Sequence, residues 1–268
     1  MMRYMKNGFK DTLSQSFLLL VLWLYHFTWG FLLLMLVKSV VVPLMHRYPG
    51  EHLSAAASQL FLAESQFRLM KTDISHPYIW LLVGVAAARM LLTPVLNAGV
   101  YYSLANPHLN AGYRFLQGIK RLSGSFFLYY VLQMAITLAP VYWLFPVVKK
   151  AFAQHADYAS LSLALLPWAA GYAAFGFLIR LLFMYVQFGR TTESGLGSSL
   201  GLFVRKLPAI VLLACLLLAL SGAFTAAALS ASLIWAGLTA LIVQQLLHIT
   251  DMVFKLWTIA SQYRIYAD

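Results

Sequence analysis

The sequence predicts an all-α fold, a polytopic membrane helical bundle of six transmembrane helices with short amphipathic interfacial helices. Three observations predict it. Apolar residues make up 62% of the 268-residue chain and charged residues only 10%, where soluble domains carry roughly 25% charged residues. The mean hydropathy is +0.76. The apolar residues fall in runs of the roughly 20 that a helix needs to cross the hydrocarbon layer. This composition excludes an ordinary soluble enzyme and a disordered chain, because little of it would stay solvated. Residues 1–268 read as one integral membrane domain.

The first span, 17–37, is uncharged and carries Trp23, Tyr25 and Trp29. It is longer than a signal-peptide h-region and no A-x-A-like site follows it, so it is expected to be retained. The second, 78–104, is interrupted by Arg89, Pro94 and Asn97. The third, 126–148, has no charge, and the fourth, 161–188, contains Arg180. Residues 207–250 hold no charged side chain at all. As one helix that stretch would be roughly 66 Å long, about twice the membrane. A fold-back at residues 226–232 is therefore expected, giving spans 207–228 and 231–252.

Between the spans the pattern turns amphipathic. Met2, Met5, Phe9 and Leu13 oppose Arg3, Lys6 and Lys10, and within 109–122 Leu109, Tyr113, Leu116 and Ile119 oppose Asn110, Arg114, Gln117 and Arg121. Both suit short helices on an anionic inner leaflet. The segment 53–71 carries a similar stripe, from Leu53 to Met70, for the outer surface. Tyr78, Trp80, Tyr101, Tyr102, Tyr129, Tyr130, Tyr142, Trp143, Trp257 and Tyr263 read as an interfacial aromatic belt. Gly84 with Ala88 and Ala170 with Ala174 read as small-residue pairs that let helices of the bundle approach.

The chain has 19 basic and 8 acidic residues, net +11. In so apolar a chain this excess reads as topology signals and contacts to anionic lipids, with no nucleic-acid partner. Eleven of the cations flank the side shared by both termini and six the other. The expected location is the plasma (inner) membrane, multi-pass, with both termini cytoplasmic. The single Cys215 forbids an intrachain disulfide and a cysteine metal cage.

Two connections echo each other: G-Y-R-F-L-Q-G-I-K-R-L at 112–122 and G-S-S-L-G-L-F-V-R-K-L at 197–207, with R-M-L-L at 89–92 and R-L-L-F at 180–183 upstream. Such repeats occur in transporter folds. The same features would also arise because any in-facing loop favours glycine, apolar residues and a basic pair before re-entry. An arginine in a span, a Gly/Ser-rich turn and an amphipathic stretch before the next span resemble bacterial six-helix membrane proteins. These include the membrane region attached to some glycerophosphodiester phosphodiesterases. The resemblance covers roughly 80–220 and implies a bacterial origin and a compact helical bundle. No soluble phosphodiesterase domain is present, so that activity is not carried over.

The candidate substrate or polar-path residues are Arg89, Asn97, Arg180, Gln244, His248 and Asp251. An arginine at bilayer depth costs about 2.5–3.5 kcal/mol on insertion scales, so it needs a partner, a backbone carbonyl or a watery cavity. Pro94 removes a backbone donor close to Arg89 and Asn97 and can open such a space. Arg180 lies nearer the cytoplasmic end and can snorkel. Gln244, His248, Asp251 and Lys255 follow at spacings of four, three and four, one helical face that Thr258 and Gln262 prolong. Asp251 is the natural counter-ion for the arginines.

Other chemistry finds little support. G-S-S-L-G at 197–201 satisfies G-x-S-x-G, but a nucleophile elbow needs a preceding strand, and here a membrane helix precedes Ser199. Gly195-x-Gly197 lacks the third glycine of a dinucleotide fingerprint. His46, His52, His76 and His155 share the outer side without ligand spacing, and His26 reads as a packing residue. No catalytic residue, metal or cofactor is expected. The leading reading is a transport-related role, as a small permease or the membrane subunit or accessory of an export system with a membrane or ATPase partner. The alternative is a non-catalytic scaffold or regulator that binds a partner in envelope homeostasis. An intramembrane lipid enzyme ranks last.

The orientation is directly testable. With Cys215→Ser as background, Asp157→Cys should react with a membrane-impermeant maleimide in intact cells. Lys6→Cys, Gln117→Cys and Ser198→Cys should react only after the membrane is opened.

Overall fold

A computed structural model describes residues 1–45, 59, 67, 76–154, 157–234 and 238–268. Among them are seven α-helices and no strand: α1 (Met2–Leu13), α2 (Ser16–Met45), α3 (His76–Ala105), α4 (Ala111–Gln154), α5 (Tyr158–Thr191), α6 (Leu196–Ile234) and α7 (Leu238–Ala267). Five stretches are long and apolar enough to cross a membrane: Ser16–Ser39, Ile79–Ala105, Ala111–Gln154, Tyr158–Thr191 and Leu196–Ser230. These mark the chain as an all-α membrane protein. The predicted surface segment 53–71, apart from residues 59 and 67, lies outside the described residues. So do His46, His52, His155, residues 235–237 and the side chains of 231–246 and 248.

The helices run further than the sequence suggests. The stretch 109–122 does not form a separate interfacial helix, because α4 continues from Ala111 through Gly124 into the span. Phe115, Gly118, Leu122 and Phe126 lie at three- and four-residue spacing on one buried face, so burial continues across the glycine. The fold-back expected at 226–232 is helix as far as Ile234. Its alanines, Ala226 to Ala228 and Ala231, are the strongest helix formers, and neither glycine nor proline interrupts them.

The chain divides into two compact units, Val21–Thr93 and Met1–Leu20 with Pro94–Asp268. Within the first, the Tyr25 hydroxyl meets Thr93 Oγ1 at 2.9 Å and donates to the Arg89 carbonyl at 3.3 Å. Thr93 Oγ1 donates to the same carbonyl at 2.6 Å. Its boundary in α3 falls at Pro94, which has no N–H for the carbonyl four residues back.

In the larger unit α3 and α4 cross where glycines remove side chains. Gly99 lies under the ring of Phe115, and a Cβ on Gly118 would stand 2.9 Å from the Ala98 carbonyl. Tyr101 then reaches Phe126 and Phe188, with ring centroids 5.3 and 5.1 Å apart. Tyr101 and Tyr102 are therefore core residues and not belt residues. Residues Leu181 to Phe188 of α5, Phe203, Ile210, Leu213 and Leu217 of α6, and Leu256 and Ile259 of α7 complete this packed end. Beyond it, α4 and α5 touch along a single stripe, where the Tyr172 hydroxyl donates to the Thr137 carbonyl at 3.1 Å and Gly176 approaches Thr137. Ala170 and Ala174, expected at a helix contact, are exposed.

Helix α1 has three faces. Gly8 and Thr12 are buried, and α1 packs on α7. There Trp257 Nε1 donates to the Met5 carbonyl at 2.8 Å, and Arg264 grips Asp11 through two contacts of 2.7 and 2.8 Å. That pair is half-exposed and contributes at most about 1 kcal/mol. The predicted apolar face keeps Met2 and Leu13 exposed, and Arg3, Lys6 and Lys10 are exposed as well.

The docking of α1 depends on Gly8, where a Cβ would come within 2.8 Å of the Ser261 backbone. Gly8→Val should cost about 1–3 kcal/mol in thermal unfolding in detergent and abolish the Asp11–Arg264 coupling in a double-mutant cycle. Gly112→Ala, with nothing within 4 Å, should leave both unchanged or slightly improved.

Candidate functional site

The turn between α5 and α6 builds a polar cleft in the larger unit. Helix α5 ends with the Ser194 N–H donating to the Gly189 carbonyl at 3.1 Å and the Thr192 N–H to Phe188 at 2.9 Å. Glu193, at φ 59°, takes the left-handed position that closes this cap. Glycine usually holds that place, and an ordinary side chain there costs roughly 1–2 kcal/mol. Gly195, at φ 85°, then starts α6. Gly189 allows the two helices to meet, since a Cβ there would lie 2.8 Å from Ser199 Cβ.

Helix α7 holds this turn from behind. The Tyr266 hydroxyl is hydrogen-bonded with Ser194, and lies 3.1 Å from Ser199 Oγ and 3.3 Å from Thr192 Oγ1. Thr192 and Ser199 also donate to the Phe188 and Gly195 carbonyls at 3.0 and 2.9 Å. Burial disfavours the Tyr266 phenolate, but its hydrogen bonds with Ser194, Ser199 and Thr192 outweigh that and hold its pKa below the ordinary tyrosine value. Deeper, the Tyr185 hydroxyl donates to Gln262 Oε1 at 2.9 Å while Gln262 Nε2 donates to the Ile210 carbonyl at 2.9 Å. Lys206 Nζ donates to the Ile265 carbonyl at 3.1 Å, a cation on the last turn of α7.

In front of the turn lies a cleft of about 510 Å³ lined by Arg121, Leu122, Tyr129, Arg190, Glu193 and Leu196, with Gly189 and Gly195. Arg121 pairs with Glu193 at 2.7 Å, both groups well exposed at 58% and 68%. Arg190 Nε donates to Ser125 Oγ at 3.3 Å. Two guanidinium groups against one carboxylate leave the wall cationic, and their flat donor forks match carboxylate or phosphate oxygens.

The predicted candidates lie elsewhere, and none lines this cleft. Arg89 is exposed and belongs to the Val21–Thr93 unit. In the larger unit Arg180 and Asp251 are exposed and Asn97 is half-buried. The side chains of Gln244 and His248 lie outside the described residues. Gln262, placed at the end of the α7 polar row, is fully buried and ties helices together. Ser199 is buried, its hydroxyl engaged with Gly195 and Tyr266. Among the described residues no three His, Cys, Asp or Glu side chains gather where a metal could bind.

Sequence reasoning counted Arg190 as a topology charge and Arg121 as that and as part of an interfacial basic face, and neither as a site residue. The available signal was the acidic Glu193 inside a cation-rich turn, beside Gly195. No protein-family model matches the chain, and no curated protein or solved structure is significantly similar to it.

Tyr266→Phe leaves the hydroxyls of the turn without their common partner. Hydrogen exchange at 189–199 should accelerate, and stability should fall by about 1 kcal/mol. Gln262→Leu, which strips partners from buried Tyr185 and Ile210, should cost about 1–3 kcal/mol.

Proposed function

We propose that this chain is a bacterial inner-membrane protein of six spans with both termini cytoplasmic, serving in a transport-related role as membrane subunit or accessory of an export system. One observation carries the reading: among the described residues, the packed end of the larger unit gives way to helix lengths whose apolar side chains are exposed. On α4, Leu128, Val131, Leu132, Ile136 and Leu138 are exposed, and on α5 so are Trp168, Ala169, Ala170, Ala173 and Ala174. An autonomous permease encloses its path with its own helices. Small residues on open helix faces are what membrane helices offer to the spans of a partner. The resemblance to six-helix bacterial proteins and the charge asymmetry support the location. Helix α1, with exposed Met2 and Leu13 beside Arg3, Lys6 and Lys10, suits the surface of an anionic inner leaflet.

A second reading is a non-catalytic scaffold or regulator in envelope homeostasis. The exposure of both Arg180 and Asp251 favours it over an enclosed polar path.

Purification at native expression level in mild detergent, followed by quantitative mass spectrometry, separates these. A stoichiometric membrane or ATPase component of an export system is expected, and it should be lost in Ala170→Leu/Ala174→Leu while the chain still accumulates. A stoichiometric envelope protein without such a component would favour the scaffold. A chain that purifies alone, with unchanged export in its deletion strain, would overturn the transport reading.

A further inference from the structure

We propose that the Arg121–Arg190 cleft is a binding site for the phosphate of an anionic phospholipid headgroup, with the Glu193 carboxylate as its resident competitor. The inference stands on the cleft alone and does not require the transport role.

The lining runs from charged to apolar. Arg121, Arg190 and Glu193 stand at the turn, while Leu122 and Tyr129 continue along α4. Arg121 and Tyr129 are eight residues apart on one helix, roughly 12 Å at the helical rise. A ligand filling this space carries its anion at one end and an apolar body at the other. The cleft volume of about 510 Å³ lies within the range of small-molecule sites, which leaves room for a headgroup and glycerol beyond the phosphate. The cleft also sits where α4 enters its apolar run and α5 leaves its own, the level at which headgroups lie.

The charges are arranged to exchange partners. Arg190 meets the neutral hydroxyl of Ser125, and among the described residues it has no carboxylate partner. Arg121 has Glu193, but an ion pair this exposed contributes only about 0–1 kcal/mol. Charge-assisted bidentate bonds from two guanidinium groups to a phosphate are stronger. Glu193 stands on the left-handed residue of a turn and not within a helix. Its carboxylate can therefore swing into water without breaking helical hydrogen bonds, while the Tyr266 cluster keeps the turn in place.

The test uses the full chain in phosphatidylcholine nanodiscs containing phosphatidylglycerol, with retained lipid counted by native mass spectrometry. A parallel thermal-shift titration uses inorganic phosphate. Phosphatidylglycerol should be retained in preference to phosphatidylcholine. Arg121→Gln/Arg190→Gln should weaken that retention roughly tenfold, and Glu193→Gln should strengthen it by up to about fivefold. The strengthened variant keeps the test valid if the double arginine variant fails to fold. Unchanged retention in the arginine variant, or unchanged or weaker retention in Glu193→Gln, would overturn the site. Inorganic phosphate binding with the same variant dependence, but without lipid preference, would overturn the lipid assignment.

Discussion

A single buried amide, Gln262, joins three helices, and the packed end of the larger unit depends on it. In hydrocarbon an apolar helix face gains little by leaving lipid for another apolar face. Close fit and hydrogen bonds must therefore hold helices in register. Gln262 of α7 accepts from Tyr185 of α5 and donates to the Ile210 carbonyl of α6. Both ends of the amide are engaged within the core, where an unpaired polar group would be costly. Around this point the helices pack through Leu213, Leu217 and Leu256 and through the aromatic contacts of Tyr185 with Phe188 and Phe203.

The consequences pass along α7 to the cleft. Once Gln262 fixes the rotation of α7, Tyr266, four residues on, falls on the same face and reaches the hydroxyls of the α5–α6 turn. The turn then holds Glu193 in its left-handed conformation against Arg121. On a neighbouring face of α7, Arg264 and Ser261 receive α1 at Asp11 and Gly8. One helix thus carries the core, the back of the cleft and the dock for the amino-terminal helix.

The cleft and the open helix lengths answer different needs. The first gathers Arg121 and Arg190 beside the ends of two apolar helices. The second leaves apolar side chains exposed among the described residues. Together they describe a protein with a firmly built end and spans available to lipid or to other membrane helices.

The sequence alone determined the class: an unbroken run of about 20 apolar residues satisfies its backbone within itself in lipid only as a helix. It also placed the second and fourth spans, 78–104 and 161–188, to within three residues of α3 and α5, whereas the other long helices run well beyond the spans read from the sequence. Its reading of the breaks was less accurate. A separate interfacial helix at 109–122 and a fold-back at 226–232 are expected from the sequence, yet one continuous helix passes through each, since burial at Phe126 and alanine's own preference sustain it. Tyr101 and Tyr102 have the composition of a belt but lie inside, where Gly99 and Gly118 bring two helices together. Arg121, Arg190 and Glu193 are separated in the chain by up to 72 residues. Only the packing of α4 beside α5, and the tight turn that Gly195 permits, gathers them at one cleft. Hydropathy is a property of each segment and survives in the sequence, whereas the meeting of distant charges depends on helix rotation and register, which tertiary contacts decide.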